Sequence, residues 1–416
     1  MTITGLLALK LLNAADRDPA TVWKEAAARV AANSSRAMDY TCVQTVERHY
    51  YRAVAARPQS CPPVSREFRD PRQSAALQLF STDRLRLDVT LVQAGELYSW
   101  VGASRFEDEG IVSVVNQGPI GSGSFGAFLN LIFWRDAKQF NFEGQKLVDG
   151  RDVMEFSFGV AREDSHYRLK TTRSWDYIGY YGKVFVDPAN GEVVRLFVET
   201  VNPDAAGGIC PTSSLMDFSM VQIGATRLLL PIHARQLFAY GDGEEIENTT
   251  NFANCREYRG ESTIRFDAPA ESSPDVVKKT VRSPVASGLP FTLTLLDPIN
   301  SESAAAGDLF RAKLGGTLRD RNQRMVARSG SIVEGRLRTV QINPRPPVVY
   351  LVLAPTAVLV GNERVALAAN RDWKVSRKEA EFYVPHPGVG PAGWFVIKGN
   401  NAVMPRGFRS NWRTAE

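Results

Sequence analysis

Tyr180 to Thr200, YYGKVFVDPANGEVVRLFVET, is the stretch that most limits what this chain can become. Val184, Phe185 and Val186 run into Asp187-Pro188-Ala189-Asn190-Gly191, where Pro188 presets φ for a type I turn and Gly191 takes positive φ without a Cβ clash. Glu192 to Val201 then returns as a second strand. Apolar residues fall on both parities of each strand, Phe185 against Val184 and Val186, and Val193 and Phe197 against Val194, Leu196 and Val198, so the hairpin is expected to be covered on both faces.

The same cadence continues on either side. Phe140–Leu147, Asp152–Val160, Tyr167–Arg173, Leu215–Ile223, Thr226–Phe238 and Asn248–Phe266 read as strands at about one per ten to fifteen residues, the mark of an antiparallel meander. Upstream, Pro19–Met38 carries Val22, Trp23, Ala26, Ala27 and Val30 near helical spacing, and Asp39–Arg52 leads from that helix into a long strand. Arg84–Val92, RLRLDVTLV, alternates as a half-exposed strand should, and Glu96–Gly102 returns from it. Phe125–Trp134, FGAFLNLIFW, reads as a short helix too apolar for a surface, so it either enters a core or closes a cavity as a lid.

At 416 residues the chain is too long for one ordinary core. The prolines, serines and small residues of Asp267–Leu289 place a linker there. Short strands at Phe291–Leu296, Asp308–Leu314, Ser331–Leu337, Val348–Leu353 and Arg364–Ala369 then predict a second, small all-β barrel or sandwich over 290–416. Lys374–Tyr383 fits a helix or an irregular cover. The fold class is thus mainly β, a curved antiparallel half-barrel over 19–266 with an N-terminal helix and a lid helix, followed by the smaller β-domain. Residues 1–18 fit either an export-signal remnant around Ile3–Leu12 or a plain amphipathic helix.

Several function classes are excluded or weakened. A formal charge of +5, with bases and acids interleaved, gives no reason to invoke nucleic acid. No apolar run reaches the length of about eighteen residues that a spanning helix needs. Cys42, Cys61, Cys210 and Cys255 form no CxxC pair and have no His at zinc spacing, so neither a metal nor a cofactor is expected. They are either buried thiols or two disulfides; of three possible pairings the economical one joins Cys42 to Cys61 and Cys210 to Cys255. Gly121-Ser122-Gly123-Ser124-Phe125-Gly126 matches GxGxxG, but no strand runs straight into it and no βαβ unit follows, so a hinge is expected rather than a phosphate loop. Glu107-Asp108-Glu109 reads as a solvated turn. His49, His166, His233 and His386 lie far apart and outside any HExxH, and no GxSxG is present. Trp175, Asp176, Tyr177, Tyr180 and Tyr181 form an aromatic lead into the hairpin, either packed at strand ends or exposed as a binding patch.

The helix-then-long-strand start, Asp187, Gly191 and Arg195 within GKVFVDPANGEVVRL, and Leu228–Pro231 within FSMVQIGATRLLLPIHARQLF resemble the half-barrel domains of the outer-membrane lipoprotein carrier type. The likeness covers roughly residues 20–266. It implies an exported envelope or periplasmic protein, not an enzyme, whose curved sheet wraps an apolar cavity for acyl chains or a lipidated partner. Phe125, Phe128, Leu129, Ile132, Phe133, Trp134, Phe185, Val194 and Leu196 are the cavity and lid residues expected under it, with protein contacts left to the second domain. The longer Cys61 loop and the added β-domain depart from a simple carrier. A scaffold with a self-filled barrel, or a hydrolase using His166 or His233, are the alternatives.

Overall fold

The structure is a computed structural model that describes residues 17–55, 61, 70–74, 76–93, 95–103, 106, 111–115, 118–170, 174–201, 208–257, 280–281, 285–372 and 392–415. The possible signal at Ile3–Leu12, Glu107–Glu109, most of the expected linker, Lys374–Tyr383 and His386 lie outside the described residues.

Helix α1 spans Pro19–Ala37, with the Asp18 carboxylate accepting from the Thr21 amide at 3.0 Å and Pro at the first helical position, where its missing N–H costs nothing. Val22, Ala26, Val30, Ser34 and Ala37 form its buried stripe. Strands β1 (Tyr40–Ala53), β2 (Leu77–Val92) and β3 (Gly95–Trp100) follow, then the short helices α2 (Ile111–Val114) and α3 (Ala127–Leu131). Strands β4 (Asn141–Val148), β5 (Arg151–Val160), β6 (Arg168–Lys170), β7 (Trp175–Tyr177), β8 (Tyr180–Asp187), β9 (Glu192–Thr200), β10 (Ser213–Ile223), β11 (Thr226–Ala239) and β12 (Glu245–Glu257) complete the first region.

All but β6 and β7 join one antiparallel sheet, in the order β3–β2–β1–β12–β11–β10–β9–β8–β5–β4. The sheet curls around α1 without closing into a barrel. Its inner face supplies Leu87, Val89, Met154, Val184, Leu196, Met216, Leu228 and Leu230, all essentially inaccessible, to one core with α1 and α3. The hairpin β8–β9 is covered on both faces, as expected: Val184, Val186 and Leu196 face that core, while Phe185 and Val194 pack with Val148 and Val153 on the other face, a bulge at Val194 turning it away from Leu196. Gly191, at φ 69°, brings the turn against α1, where a Cβ would lie 2.9 Å from Glu25 Cβ. Arg17 fastens the same contact by donating to the Pro188 carbonyl at 2.6 Å.

The second region comprises β13 (Thr280–Val281), β14 (Pro290–Leu295), β15 (Ile299–Asn300), β16 (Leu309–Gly315), β17 (Leu318–Arg319), β18 (Met325–Ala327), β19 (Ile332–Pro344), β20 (Pro347–Val360), β21 (Glu363–Ala366), β22 (Ala369–Arg371), β23 (Gly393–Lys398), β24 (Val403–Met404) and β25 (Arg409–Thr414). Its long hairpin β19–β20 is flanked by β16, β14 and β25 on one side and by β21 and β23 on the other, around a separate core that includes Leu293, Phe310, Leu351, Phe395 and Trp412.

Two expectations need correction. The disulfides are Cys42–Cys255 and Cys61–Cys210, not the pairs closest in sequence. β1 lies beside β12, with Thr41 opposite Arg256 and Val43 opposite Ala253, so Cys42 meets Cys255 across the ladder with Cα atoms 4.0 Å apart. The polar face of Arg84–Val92, expected in water, is instead covered. Arg86 N–H donates to the Ala306 carbonyl at 2.8 Å, and Ala306 N–H to the Arg84 carbonyl at 2.8 Å. Arg86 also pairs with Asp308, and Ile342 of β19 sits opposite Thr82. The β2 edge beyond β3 is thus covered by the second region from Thr82 to Arg86.

Candidate functional site

An open cleft of about 1210 Å³ lies at one end of the half-barrel, between α3, α2, the Gly118–Gly123 segment, the β6–β7 hairpin and the end of β11. Leu91, Ile111, Val115, Phe128, Leu131 and Phe238 give it apolar walls, and Trp134, Trp175 and Tyr177 stand at its mouth.

The wall carrying α3 is held by one carboxylate. Glu96, 8% exposed on β3, accepts from the amides of Gly123, Gly126 and Ala127 at 2.7, 2.9 and 3.0 Å and from the Tyr98 hydroxyl. These amides include two of the glycines in the GxGxxG match, so the N–H groups that a phosphate would need already serve an internal anion. Burial, then the adjacent Glu96 charge and hydrogen bond, push the Tyr98 phenol well above its usual range, which keeps it a neutral donor. The helix is shorter than Phe125–Trp134 because it starts only where these amides are capped, and it widens into a π-turn at Ile132–Asp136.

That π-turn delivers Asp136, 1% exposed, to a second network. Its carboxylate accepts from the His166 amide at 2.9 Å and the Tyr180 hydroxyl at 2.8 Å, and meets His166 Nδ1 at 2.6 Å. Arg135 lies 2.8 Å from His166 Nε2. A guanidinium only donates, so Nε2 accepts and Nδ1 carries the proton toward Asp136. Both imidazole nitrogens are therefore engaged, and this Asp–His pair pins the loop before β6 to the end of α3 rather than presenting a free base. Burial and the Asp136 bond drive the Tyr180 phenol upward, and burial raises Tyr167 to about 12. His233 pairs with Asp217 at 3.6 Å and does not line the cleft. Among the described residues no three His, Cys, Asp or Glu side chains gather as a metal site, and no helix is long and apolar enough to cross a membrane.

Of the cavity and lid residues expected from the sequence, Phe128 and Trp134 line the cleft, as does His166. Phe125 packs on Phe252, Phe133 stacks on Trp23 at 4.8 Å, and Leu129, Ile132 and Leu196 belong to the main core. Phe185 and Val194 lie in the separate outer cluster. Sequence reasoning missed Leu91, Ile111, Val115 and Phe238, whose strand and helix patterns are those of any core residue. For Trp175 and Tyr177 a signal existed: they are 43% and 51% exposed, so the aromatic lead is a surface feature at these two positions.

No protein-family model and no curated protein matches the chain. Solved structures do. A LolA superfamily protein from Nitrosomonas europaea is similar at 10% identity and a TM-score of 0.27, over 60% of this chain and 94% of its own. A putative outer membrane lipoprotein-sorting protein domain from Vibrio parahaemolyticus is similar at 15% identity and a TM-score of 0.29, over 57% and 92%. A DUF1329 family protein from Desulfovibrio piger is similar at 13% identity and a TM-score of 0.27, over 59% and 96%. The names of the first two are of the type that residues 20–266 resemble in sequence.

Proposed function

We propose that the first region, residues 19–266, is a binding module that buries an acyl chain or other apolar ligand in the cleft, without chemistry, as part of an exported envelope or periplasmic protein. The observation that carries this is the cleft itself: at about 1210 Å³ it exceeds the few hundred to a thousand Å³ typical of ligand pockets, and the half-barrel's own side chains leave it open. Burial of hydrocarbon there supplies roughly 25 cal/mol per Å². Two disulfides support an oxidising compartment. In the same proposal residues 290–416 form a second unit for protein contacts, offering exposed Leu309, Met325 and Val403.

Native mass spectrometry of the protein from its host, before and after organic extraction, tests the reading. Loss of mass recovered as lipid is the expected result. An unchanged mass, together with failure to take up a fluorescent fatty acid, overturns it. Phe128 and Ile132 are poor choices for a binding test, because both are buried in the core and a charge there would unfold the region. Trp134→Ala, at a position 52% exposed, should instead weaken uptake severalfold at unchanged stability.

A further inference from the structure

The β6–β7 hairpin forms a two-stranded sheet of its own, with Arg168 opposite Tyr177 and Lys170 opposite Trp175. Opposed residues share a face, so two cations and two aromatic rings stand together, and all four line the cleft. The Arg168 guanidinium lies 5.6 Å from the Trp175 ring and 5.8 Å from that of Tyr177. Arg135 adds a third cation at the same mouth, bonded to the neutral acceptor of His166.

These cations gather at the cleft without an acid beside them. Among the described residues none of Arg135, Arg168 and Lys170 has a carboxylate within 4.0 Å, and all three line the cleft; Lys138, Lys146, Lys183 and Arg195 elsewhere on this region are paired with Asp or Glu, while Lys24, Arg29, Arg36, Arg162 and Arg227, also without one, do not line it. The carboxylate in the cleft lining, Glu96, is spent on three amides and a phenol, and Asp136 behind His166 is spent on three donors. Asp176 lies on the opposite face of the hairpin, level with Leu169. An apolar cavity with three uncompensated cations and exposed aromatics at its mouth is complementary to an amphiphile with a negatively charged head.

We infer that the ligand is an anionic amphiphile, its chain in the cleft and its carboxylate or phosphate head held by Arg135, Arg168 and Lys170. This rests on the apolar-ligand reading above and adds the charge of the head.

The test displaces the neutral reporter N-phenylnaphthylamine from the full-length protein with two matched pairs, oleic acid against oleyl alcohol and dioleoyl phosphatidic acid against dioleoylglycerol. Within at least one pair the anion should compete about tenfold better than its neutral partner, the sum of several partly exposed charge contacts, and the advantage should shrink in high salt. Preference for oleic acid points to a carboxylate head and preference for phosphatidic acid to a phosphate. Arg168→Gln with Lys170→Gln, on an exposed hairpin outside the core, should reduce that preference to about twofold or less while leaving the competition by neutral partners unchanged. Equal competition within both pairs, or a preference that survives the double substitution, overturns the headgroup inference and leaves the apolar cleft standing. If the reporter does not bind and none of the four lipids is retained in native mass spectrometry, the cleft reading itself falls and takes this one with it.

Discussion

The two regions use the same material, antiparallel strands, to opposite ends. In the second region the strands close on their own side chains: Trp412 is 1% exposed at the centre, and Gly393 is required beside it because a Cβ would lie 2.2 Å from its ring. The first region has longer strands and a helix, yet leaves a cleft at one end. All four cysteines lie in the first region, cross-linking Cys42 to Cys255 and Cys61 to Cys210. A sheet packed on a helix but left open at one end gains less there than one that fills itself throughout, and covalent ties within the region offset the difference. Removing the longer tie should therefore separate the regions most sharply. Cys42→Ala with Cys255→Ala opens a sequence separation of 213, for which the chain-entropy estimate is a loss of about 5 kcal/mol. Calorimetry should show the first region melting far lower and the second nearly unmoved; equal shifts would mean that the two melt as one.

A smaller effect should come from Glu96, which holds the cleft wall. Glu96→Ala strands three amides and the Tyr98 hydroxyl in a buried site, at about 3 kcal/mol in total. Urea unfolding should show this loss in the first region, and hydrogen exchange should locate it at the amides of Gly123, Gly126 and Ala127. If exchange there is unchanged, something other than Glu96 fixes α3.

How far the sequence carries this comparison depends on the kind of feature. The hairpin at Asp187–Gly191, α1 and the strand succession were legible because periodicity and turn chemistry are local. The cleft was not, since Leu91, Ile111 and Phe238 become its wall only through strand order and the path of α3. Pairing of the cysteines failed for the same reason: adjacency of β1 and β12 is a property of sheet topology, and sequence distance says nothing of it. Glu96 was passed over as one residue of a returning strand. Its role comes from the Gly123–Ala127 backbone arriving opposite, which no local pattern announces.

The seam between the regions sets a third scale. Gly307, at φ 106°, lets the 301–308 loop lie against β2, where a Cβ would come within 2.2 Å of the Arg86 carbonyl and 2.7 Å of the Trp100 ring. Gly307→Val should cost about 2 kcal/mol or more through backbone strain and clash, and accelerate exchange of the Arg86 and Ala306 amides by roughly thirtyfold. Retained protection would show that side-chain bonds, from Arg84 to the Glu302 carbonyl at 2.7 Å, Arg86 to Asp308 and Arg336 to the Val101 carbonyl at 2.8 Å, hold the seam whatever residue stands at 307.

The smallest effect concerns charge on the outer face of the first region, where Arg195 bridges Asp217 at 2.5 Å and Asp149 at 2.8 Å, with His233 at 3.6 Å from Asp217. Burial raises the Asp217 pKa, but the bonds from His233 and Arg195 outweigh it and hold the carboxyl below its ordinary value of 3.8. A carboxyl depressed in the folded state stabilises the fold above its unfolded value and loses that contribution as pH falls through the folded one. Asp217→Asn should thus lower the urea midpoint of the first region at neutral pH by an amount equivalent to about 1 kcal/mol or less, and the two proteins should converge as pH drops below 3.8. The second region, which contains none of these groups, serves as the internal reference. A gap between variant and parent that stays constant through the acid range would mean that Asp217 acts by packing and hydrogen-bond geometry, with its charge contributing nothing measurable.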